Sequence, residues 1–314
     1  MIAVDDGSKD DTWDHLCALA QQFPGRMLAL RHPKNAGKRA ALVTAILRAD
    51  SEVVITVDSD SILDRNAIRH LVAPIQKDPR VASVSGQVFV LNEEANILTR
   101  MQAANFAMAY AYQRAAQSCF GSVLCCPGVL TGYRRSALLG VLTGWSEQTF
   151  LGAPCMIGED RALTTWLLAA DWRSVYQSTA VAYTMMPTSF KGTCRMLIRW
   201  ERGNIREALR LIGLMSGRWN IAERWWACIE VILDLAYWPA AFTALASLAR
   251  LENIPGLFAT TGLVTLLLSL NCLRTKKSLD LLYYVAYSFF NMFALGWLFP
   301  FSLLTVRDGR WLTR

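Results

Sequence analysis

Short apolar runs alternate with amphipathic stretches along the first 85 residues of the chain. An apolar run bounded by polar residues predicts a buried strand, and apolar positions at helical spacing predict a helix. The predicted strands are residues 1–4, 27–30, 53–57 and 81–84, and the predicted helices are residues 12–23, 40–49 and 65–76. This alternation is typical of an α/β fold with a mostly parallel sheet, which binds its ligands at the carboxyl ends of the strands.

The pattern becomes long and helical beyond residue 97. It is interrupted at Cys126-Pro127-Gly128 and again at Gly158-Glu159-Asp160. The second interruption precedes a predicted helix at residues 161–170, whose apolar positions recur at helical spacing.

From about residue 228 the chain is largely apolar. The segments 229–250, 254–272 and 280–304 approach or exceed the roughly 20 residues that span a bilayer. We expect the last two to be transmembrane helices. The first contains Glu230 and Asp234, which are costly at bilayer depth, so it is either a third span or an interfacial helix.

Charge and cysteine content narrow the function classes. The net charge is +7, and arginines crowd the stretch just before the apolar region. Arg199, Arg202, Arg206 and Arg210 share one face of a predicted amphipathic helix. A basic segment beside apolar helices is typical of contact with lipid headgroups or a phosphorylated substrate, so nucleic acid is not an expected partner. The eight cysteines form no Cys-x-x-Cys pair, so neither a zinc site nor a disulfide framework is expected.

Two carboxylates follow the predicted strand at residues 53–57. In a parallel sheet, Asp58 and Asp60 would lie together at the carboxyl edge. A divalent cation prefers such oxygen ligands, and it would neutralise the charge of a nucleoside diphosphate. The alternative interpretation is a turn or a helix cap, which uses the same residue types.

Other polar groups also lie at predicted strand ends and helix starts. Asp5 and Asp6 end the first strand, where a carboxylate accepts hydrogen bonds from a nucleoside or closes an Asx turn. Lys38 and Arg39 follow Gly37 and open a helix, as expected of a diphosphate site or of a solvated surface.

The last two motifs are a pair of carboxylates and an arginine followed by a tryptophan. Glu159 and Asp160 precede a helix, where a carboxylate either caps the helix or takes a proton from a sugar hydroxyl. Arg199 offers a guanidinium to phosphate oxygens, and Trp200 offers an indole to the apolar face of a sugar.

In this order, the motifs resemble those of the processive family 2 glycosyltransferases, in particular the hyaluronan and chitin synthases. The matching motifs are Val4-Asp5-Asp6-Gly7-Ser8, Asn35-Ala36-Gly37-Lys38-Arg39, Asp58-Ser59-Asp60, Gly158-Glu159-Asp160-Arg161-Ala162-Leu163-Thr164 and Arg199-Trp200. Weaker agreement occurs at Ser85-Gly86-Gln87-Val88, between Cys126 and Arg135, and at Trp311-Leu312-Thr313-Arg314. The resemblance extends over nearly the whole chain.

The resemblance implies a GT-A catalytic domain with a Rossmann-like, mostly parallel sheet at residues 1–190. Amphipathic interfacial helices would follow at 191–227, and two or three transmembrane helices at 228–314. The protein would be a multi-pass enzyme of the plasma membrane with its catalytic domain in the cytoplasm. It would use Mg²⁺ or Mn²⁺ to transfer N-acetylglucosamine, glucuronate or both from a UDP-sugar to a growing polysaccharide.

The resemblance also implies residue roles on the donor side. Asp5 and Asp6 would hold the uridine, Lys38 and Arg39 the phosphates, and Asp58 and Asp60 the metal.

On the acceptor side, Asp160 would be the general base, with Glu159 beside it. Arg199 and Trp200 would close over the diphosphate and the acceptor, and Gly128 and Tyr133 would contact the acceptor.

Two departures from the family pattern affect these expectations. Met196 stands where the family has a glutamine or arginine, at the start of the five-residue motif that closes with Arg199-Trp200. The family's first strand and helix would precede Met1, so we expect this polypeptide alone to bind UDP poorly and to be inactive. The alternatives are a non-processive transferase with a lipid acceptor, giving a glycolipid, and an inactive, truncated membrane component.

Overall fold

The computed structural model describes residues 1–215, 227–232 and 280–311, together with isolated positions between 225 and 266. The predicted spans at 229–250 and 254–272 therefore lie largely outside the described residues. The strands are β1 Ile2–Asp5, β2 Leu28–Arg31, β3 Val53–Thr56, β4 Ile62–Leu63, β5 Val81–Val90, β6 Thr131–Arg134, β7 Thr149–Phe150, β8 Ala153–Pro154 and β9 Arg173–Thr184. The helices are α1 Thr12–Gln22, α2 Lys38–Arg48, α3 Ala67–Lys77, α4 Ile97–Met108, α5 Ala115–Cys119, α6 Arg135–Ser146, α7 Glu159–Ala169, α8 Phe190–Met215, α9 Asp280–Phe290 and α10 Leu298–Leu304.

The main sheet has five strands in the order β3-β6-β5-β9-β4. β5 and β9 are parallel, whereas β6 runs antiparallel to both of its neighbours, β3 and β5. β1 and β2 form a separate parallel pair. The α/β prediction is confirmed, but the prediction of a mostly parallel sheet is wrong. One cause is β6, which follows the interruption at Cys126-Pro127-Gly128 and inserts between β3 and β5. The other is β4, which runs antiparallel to β9.

Helices cover both faces of the main sheet. On one face, Leu71 and Ile75 of α3 pack against β5 and β9 in a fully buried cluster. On the other face, Leu138 and Trp145 of α6 pack against α7 and the sheet. Burial of such side chains stabilises each by about 1.5–3 kcal/mol. This packing fixes the first residues of α7 at the edge of the sheet where β3 ends.

The long helix α8 packs against α7 and α10. Two arginines of its predicted basic face are buried rather than solvated, since Arg202 and Arg206 are only 2% and 3% exposed. The Arg202 guanidinium donates a hydrogen bond to Thr305 at 2.9 Å and lies 3.2 Å from the Asp308 carboxylate. These two arginines therefore bind protein rather than lipid headgroups.

None of the helices in the described part of the chain is by itself long and apolar enough to cross a bilayer. One bent pair, Leu282–Leu295 with Leu298–Leu304, satisfies the requirement together, with a bend of 49° between its halves.

Candidate active site

The first residue of α2 is the centre of a charged cluster at the sheet edge. The Lys38 ammonium lies 2.5 Å from an Asp58 carboxylate oxygen and 3.0 Å from Glu159 Oε1. Asp58 follows β3, and Glu159 is the first residue of α7. Three separate elements thus meet here, as the positions of these residues after predicted strands and before predicted helices suggested.

Burial and charge set the protonation of this cluster. Burial acts to lower the pKa of Lys38, but the carboxylates of Glu159, Asp58 and Asp160 raise it above its usual value. Burial acts to raise the pKa of Glu159, and the Lys38 ammonium brings it below the usual value. Lys38 and Glu159 are therefore a charged pair at neutral pH.

The pKa of the Asp160 carboxyl group is raised, whereas that of Glu159 is lowered. Burial raises its pKa, and the neighbouring charge of Glu159 raises it further, against the opposing effect of Lys38. The Arg161 backbone N–H donates to Asp160 Oδ1 at 2.7 Å, which fixes the orientation of the carboxyl group. A shielded carboxylate with a raised pKa suits a general base.

Gly128 borders the pair of Lys38 and Asp58. A Cβ atom at this position would lie 2.7 Å from Asp58 Oδ1 and 2.7 Å from Lys38 Nζ. Real Cβ atoms do not approach other atoms so closely, so a larger residue would displace one of the two charged groups. The glycine therefore leaves room for the ion pair at the sheet edge.

We expect Gly128→Ala to lower kcat/KM by about 10²-fold, the order of loss that follows displacement of catalytic groups by about 1 Å. Gly140→Ala is the matched control, since a Cβ on the exposed Gly140 meets nothing within 4 Å. Steady-state kinetics of both variants test this expectation. Equal kinetics for the two variants would contradict the tight fit around Gly128.

The loop before α7 is held by α8. Gly158 has a φ of 73°, and a Cβ there would lie 2.9 Å from the Gly203 Cα of α8. The Arg206 guanidinium donates hydrogen bonds to the carbonyl oxygens of Ile157 and Val306, the latter at 3.2 Å. The position of Glu159 and Asp160 therefore depends on close backbone contact with α8.

Arg199 lies on the same helix, α8. Its guanidinium stacks on the ring of Trp311 at 4.2 Å from the centroid. Its charge helps to lower the pKa of Glu159, which places it beside the cluster. The sequence motifs at Arg199 and Trp311 are thus brought together in space.

Asp5 and Asp6 are bound by the protein's own groups. The Asp6 carboxylate accepts hydrogen bonds from the backbone N–H groups of Ala36 at 2.9 Å and Gly37 at 2.7 Å. It also lies 2.8 Å from His32 Nδ1. Burial acts to raise the pKa of Asp6, but these hydrogen bonds bring it below its usual value. Asp6 therefore shapes the loop that leads into Lys38.

Asp5 is likewise buried against the protein. Its carboxylate pairs with Arg31 at 3.0 Å and accepts a hydrogen bond from the Ser8 backbone N–H at 2.9 Å. These contacts fix the turn that follows β1.

Two residues predicted to bind substrate lie in the interior instead. Arg39 is 6% exposed, and its guanidinium stacks on Trp145 at 5.0 Å and donates to the Trp145 carbonyl. Successive helical residues point about 100° apart, which directs Arg39 away from Lys38 and towards Trp145. Tyr133 is 2% exposed in the core between the sheet and α6. Both side chains are buried in this structure, and their contact with a diphosphate or an acceptor stays a prediction.

Trp200 and Met196 belong to a hydrophobic cluster that includes Val90, Ala103 and Met186. Met196 is buried there, whereas Trp200 is only partly buried and lies 6.1 Å from the ring of Phe106. Met196, which stands where the resembling family has a glutamine or arginine, therefore contributes to hydrophobic packing.

Arg114 was missed by the sequence analysis. It stacks on Tyr110 at 3.9 Å and donates to the Cys125 carbonyl at 3.3 Å. Burial acts to lower its pKa, but Tyr110 and, less strongly, Asp160 are among the groups that raise it above its usual value. It lies in a π-helical segment, Ala109–Arg114, and no motif or spacing in the sequence points to it.

Asp58 and Asp60 are the acidic residues after β3 that could hold a divalent cation. Among the residues with assigned positions, no group of three or more His, Cys, Asp or Glu side chains could hold a metal alone. Mg²⁺, however, is usually bound by one or two carboxylates together with substrate phosphates and water. Asp58, partly buried, and Asp60, exposed, fit that smaller requirement.

An α/β domain with paired acids, a lysine and a shielded carboxyl group at the sheet edge has the features of a GT-A glycosyltransferase. The sequence model described as "Glycosyl transferase family 2" matches residues 1–141. An N-acetylglucosaminyltransferase from Azorhizobium caulinodans is 33% identical over 320 residues, covering 100% of this chain and 79% of the relative. A Streptococcus pyogenes hyaluronan synthase is 30% identical over 320 residues, covering 99% of this chain and 75% of the relative. The chain belongs to glycosyltransferase family 2 and is a glycosyltransferase.

The fold is also found in a solved structure. "Mannosyltransferase PcManGT from Pyrobaculum calidifontis in complex with GDP-Man and Mn2+" matches with a TM-score of 0.60 and 22% identity, covering 93% of this chain and 77% of that one. The predicted GT-A-like fold is thereby confirmed.

Proposed function

We propose that this protein transfers N-acetylglucosamine from UDP-N-acetylglucosamine to a hydroxyl group of a growing polysaccharide, with inversion at the anomeric carbon. The observation that carries this proposal is the meeting of Lys38, Asp58, Glu159 and Asp160 at one edge of the sheet. This arrangement supplies a phosphate-binding cation next to a shielded base.

Asp160 is the general base in this reaction. It takes the proton from the acceptor hydroxyl, whose oxygen forms the new bond to the anomeric carbon as the bond from that carbon to the phosphate oxygen breaks. UDP leaves with the electron pair of the broken bond. The raised pKa of Asp160 makes it a better proton acceptor than an ordinary aspartate.

The other residues of the site bind and orient the donor. Lys38 binds the diphosphate, and Asp6 keeps the loop before it in place. Asp58 and Asp60 would hold Mg²⁺ or Mn²⁺, which, when bound, neutralises charge on the departing diphosphate. Arg199, fixed by Trp311, adds positive charge near the leaving group.

The names of the relatives support the choice of sugar and product. Several are N-acetylglucosaminyltransferases, and others are hyaluronan synthases. A polymer that also contains glucuronate is the second candidate product, because the chain is nearly as similar to the hyaluronan synthases as to the N-acetylglucosaminyltransferases. Transfer to a lipid acceptor gives a third.

The domain organisation and location are part of the same proposal. Residues 1–190 form the catalytic domain on the cytoplasmic side of the plasma membrane, and 191–227 connect it to a membrane region at 228–314. The apolar composition from residue 228 onward supports this.

Incubation of membranes containing the full-length protein with single and paired UDP-sugars and Mn²⁺ tests the proposal. We expect long chains from UDP-N-acetylglucosamine alone, and no product when the cation is chelated. Chains that require UDP-glucuronate as well would favour the second candidate, and a single glycolipid the third. Membranes that carry Asp160→Asn provide the background, and incorporation no higher than theirs would refute the proposal.

A further inference from the structure

A cavity of about 470 Å³ opens beside the main sheet. Its walls come from β5 and β9 on one side and from the helical segment 107–118 on the other. The residues that matter most are Gln87, Phe89, Ala107, Ala111, Tyr176 and Gln177. The volume lies within the range of about 300–1,000 Å³ typical of small-molecule sites.

The lining of the cavity indicates a neutral ligand. None of the residues described at its wall carries a charge, which favours a neutral ligand over a diphosphate or a uronate carboxylate. The polar groups are amides and hydroxyls, and the remaining surface is alanine and phenylalanine. An N-acetylhexosamine unit presents the matching chemistry, with hydroxyls and an amide beside an apolar ring face and a methyl group.

The polar wall is held in a fixed orientation. The Tyr176 hydroxyl donates a hydrogen bond to the Gln87 side-chain carbonyl, and Gln87 Nε2 donates to the Val88 carbonyl at 3.0 Å. Ala111 belongs to the π-helical segment, and π-helical turns occur frequently at functional sites. A binding wall built on fixed side chains loses little entropy when it takes up a ligand.

A row of aromatic rings runs from the cavity to Trp200, the tryptophan of the Arg199-Trp200 motif. Trp200 lies 6.1 Å from Phe106, Phe106 lies 5.9 Å from Tyr110, and Tyr110 lies 6.4 Å from Tyr176 at the cavity wall. The row begins next to Arg199. The cavity is therefore linked through one continuous layer of side chains to Trp200 of α8.

We infer that this cavity is an acceptor subsite that binds an N-acetylhexosamine unit of the growing chain and thereby influences product length. The inference rests on the proposed function. It adds a site for the polymer, separate from the groups that bind the donor.

Ala111→Trp tests the inference because Ala111 is exposed and lines the cavity, so the indole can fill it without disturbing the core. With the purified full-length protein, UDP-N-acetylglucosamine as donor and chitotetraose as acceptor, we expect the acceptor KM to rise about tenfold and products to become shorter. The donor KM should change by less than about twofold, because the donor groups lie elsewhere. Gln113→Trp, exposed on the same segment but away from the wall, is the matched control.

Tyr176→Phe provides a second test that introduces no bulk. Loss of its hydroxyl should raise the acceptor KM by about fivefold, as expected for one hydrogen bond. If the wild type transfers sugar while both variants keep the wild-type acceptor KM and product length, the inference is overturned and the proposed function stands. If the wild type itself transfers no sugar, the proposed function fails first.

Discussion

Replacement of Asp160 by asparagine is expected to lower the rate of sugar transfer by about 10²–10⁴-fold, while UDP affinity changes by less than about threefold. The amide keeps the shape of the carboxyl group and can still accept the Arg161 hydrogen bond, but it cannot take a proton. The loss should therefore appear in kcat. Rate measurements with saturating donor, together with a UDP titration, separate the two effects.

Asp171→Asn is the matched control for this substitution. Asp171 follows the other end of α7, is exposed, and has a φ of 61°, a conformation that asparagine tolerates. Its activity should stay near that of the wild type. Substantial turnover by Asp160→Asn would remove Asp160 from the role of base.

Replacement of Lys38 by alanine is expected to weaken UDP binding by about tenfold or more, through loss of a charge-assisted contact to the diphosphate. It should also lower the free energy of unfolding by about 1–3 kcal/mol, because Glu159 would be left buried without its cation. A UDP titration with saturating Mn²⁺ and a thermal melt measure the two losses.

Lys34→Ala controls for the loss of one positive charge near the site, since Lys34 is exposed in the preceding loop. This variant should match the wild type in both measurements. Wild-type UDP affinity in Lys38→Ala would show that the diphosphate binds away from the cluster.

The sequence predicted the parts of the fold that have strong local patterns. The apolar run at residues 53–57 corresponds to β3, and the amphipathic stretch at 12–23 corresponds to α1. β6 was missed because its sequence, Thr131-Gly132-Tyr133-Arg134, contains no apolar run, and its pairing partners are distant in sequence. β9 was missed because serine, glutamine and threonine interrupt its apolar residues on both faces and hide its alternation.

The candidate site likewise contains residues that the local sequence pattern predicts and residues whose place depends on tertiary packing. The meeting of Lys38, Asp58 and Glu159 could be predicted, because each stands next to a strand end or a helix start. The burial of Arg39 depends on the direction in which α2 packs, which its sequence does not specify. The place of Arg114 depends on tertiary contacts of the π-helical segment, for which the sequence carries no signal.

The most direct measurement is a structure of the full-length protein with UDP and Mn²⁺ bound. We expect the diphosphate to contact Lys38, the metal to be coordinated by Asp58 or Asp60, and Asp160 to face the space next to the phosphate. A nucleotide bound at another surface, with Lys38 still joined to Asp58 and Glu159, would contradict the proposed active site.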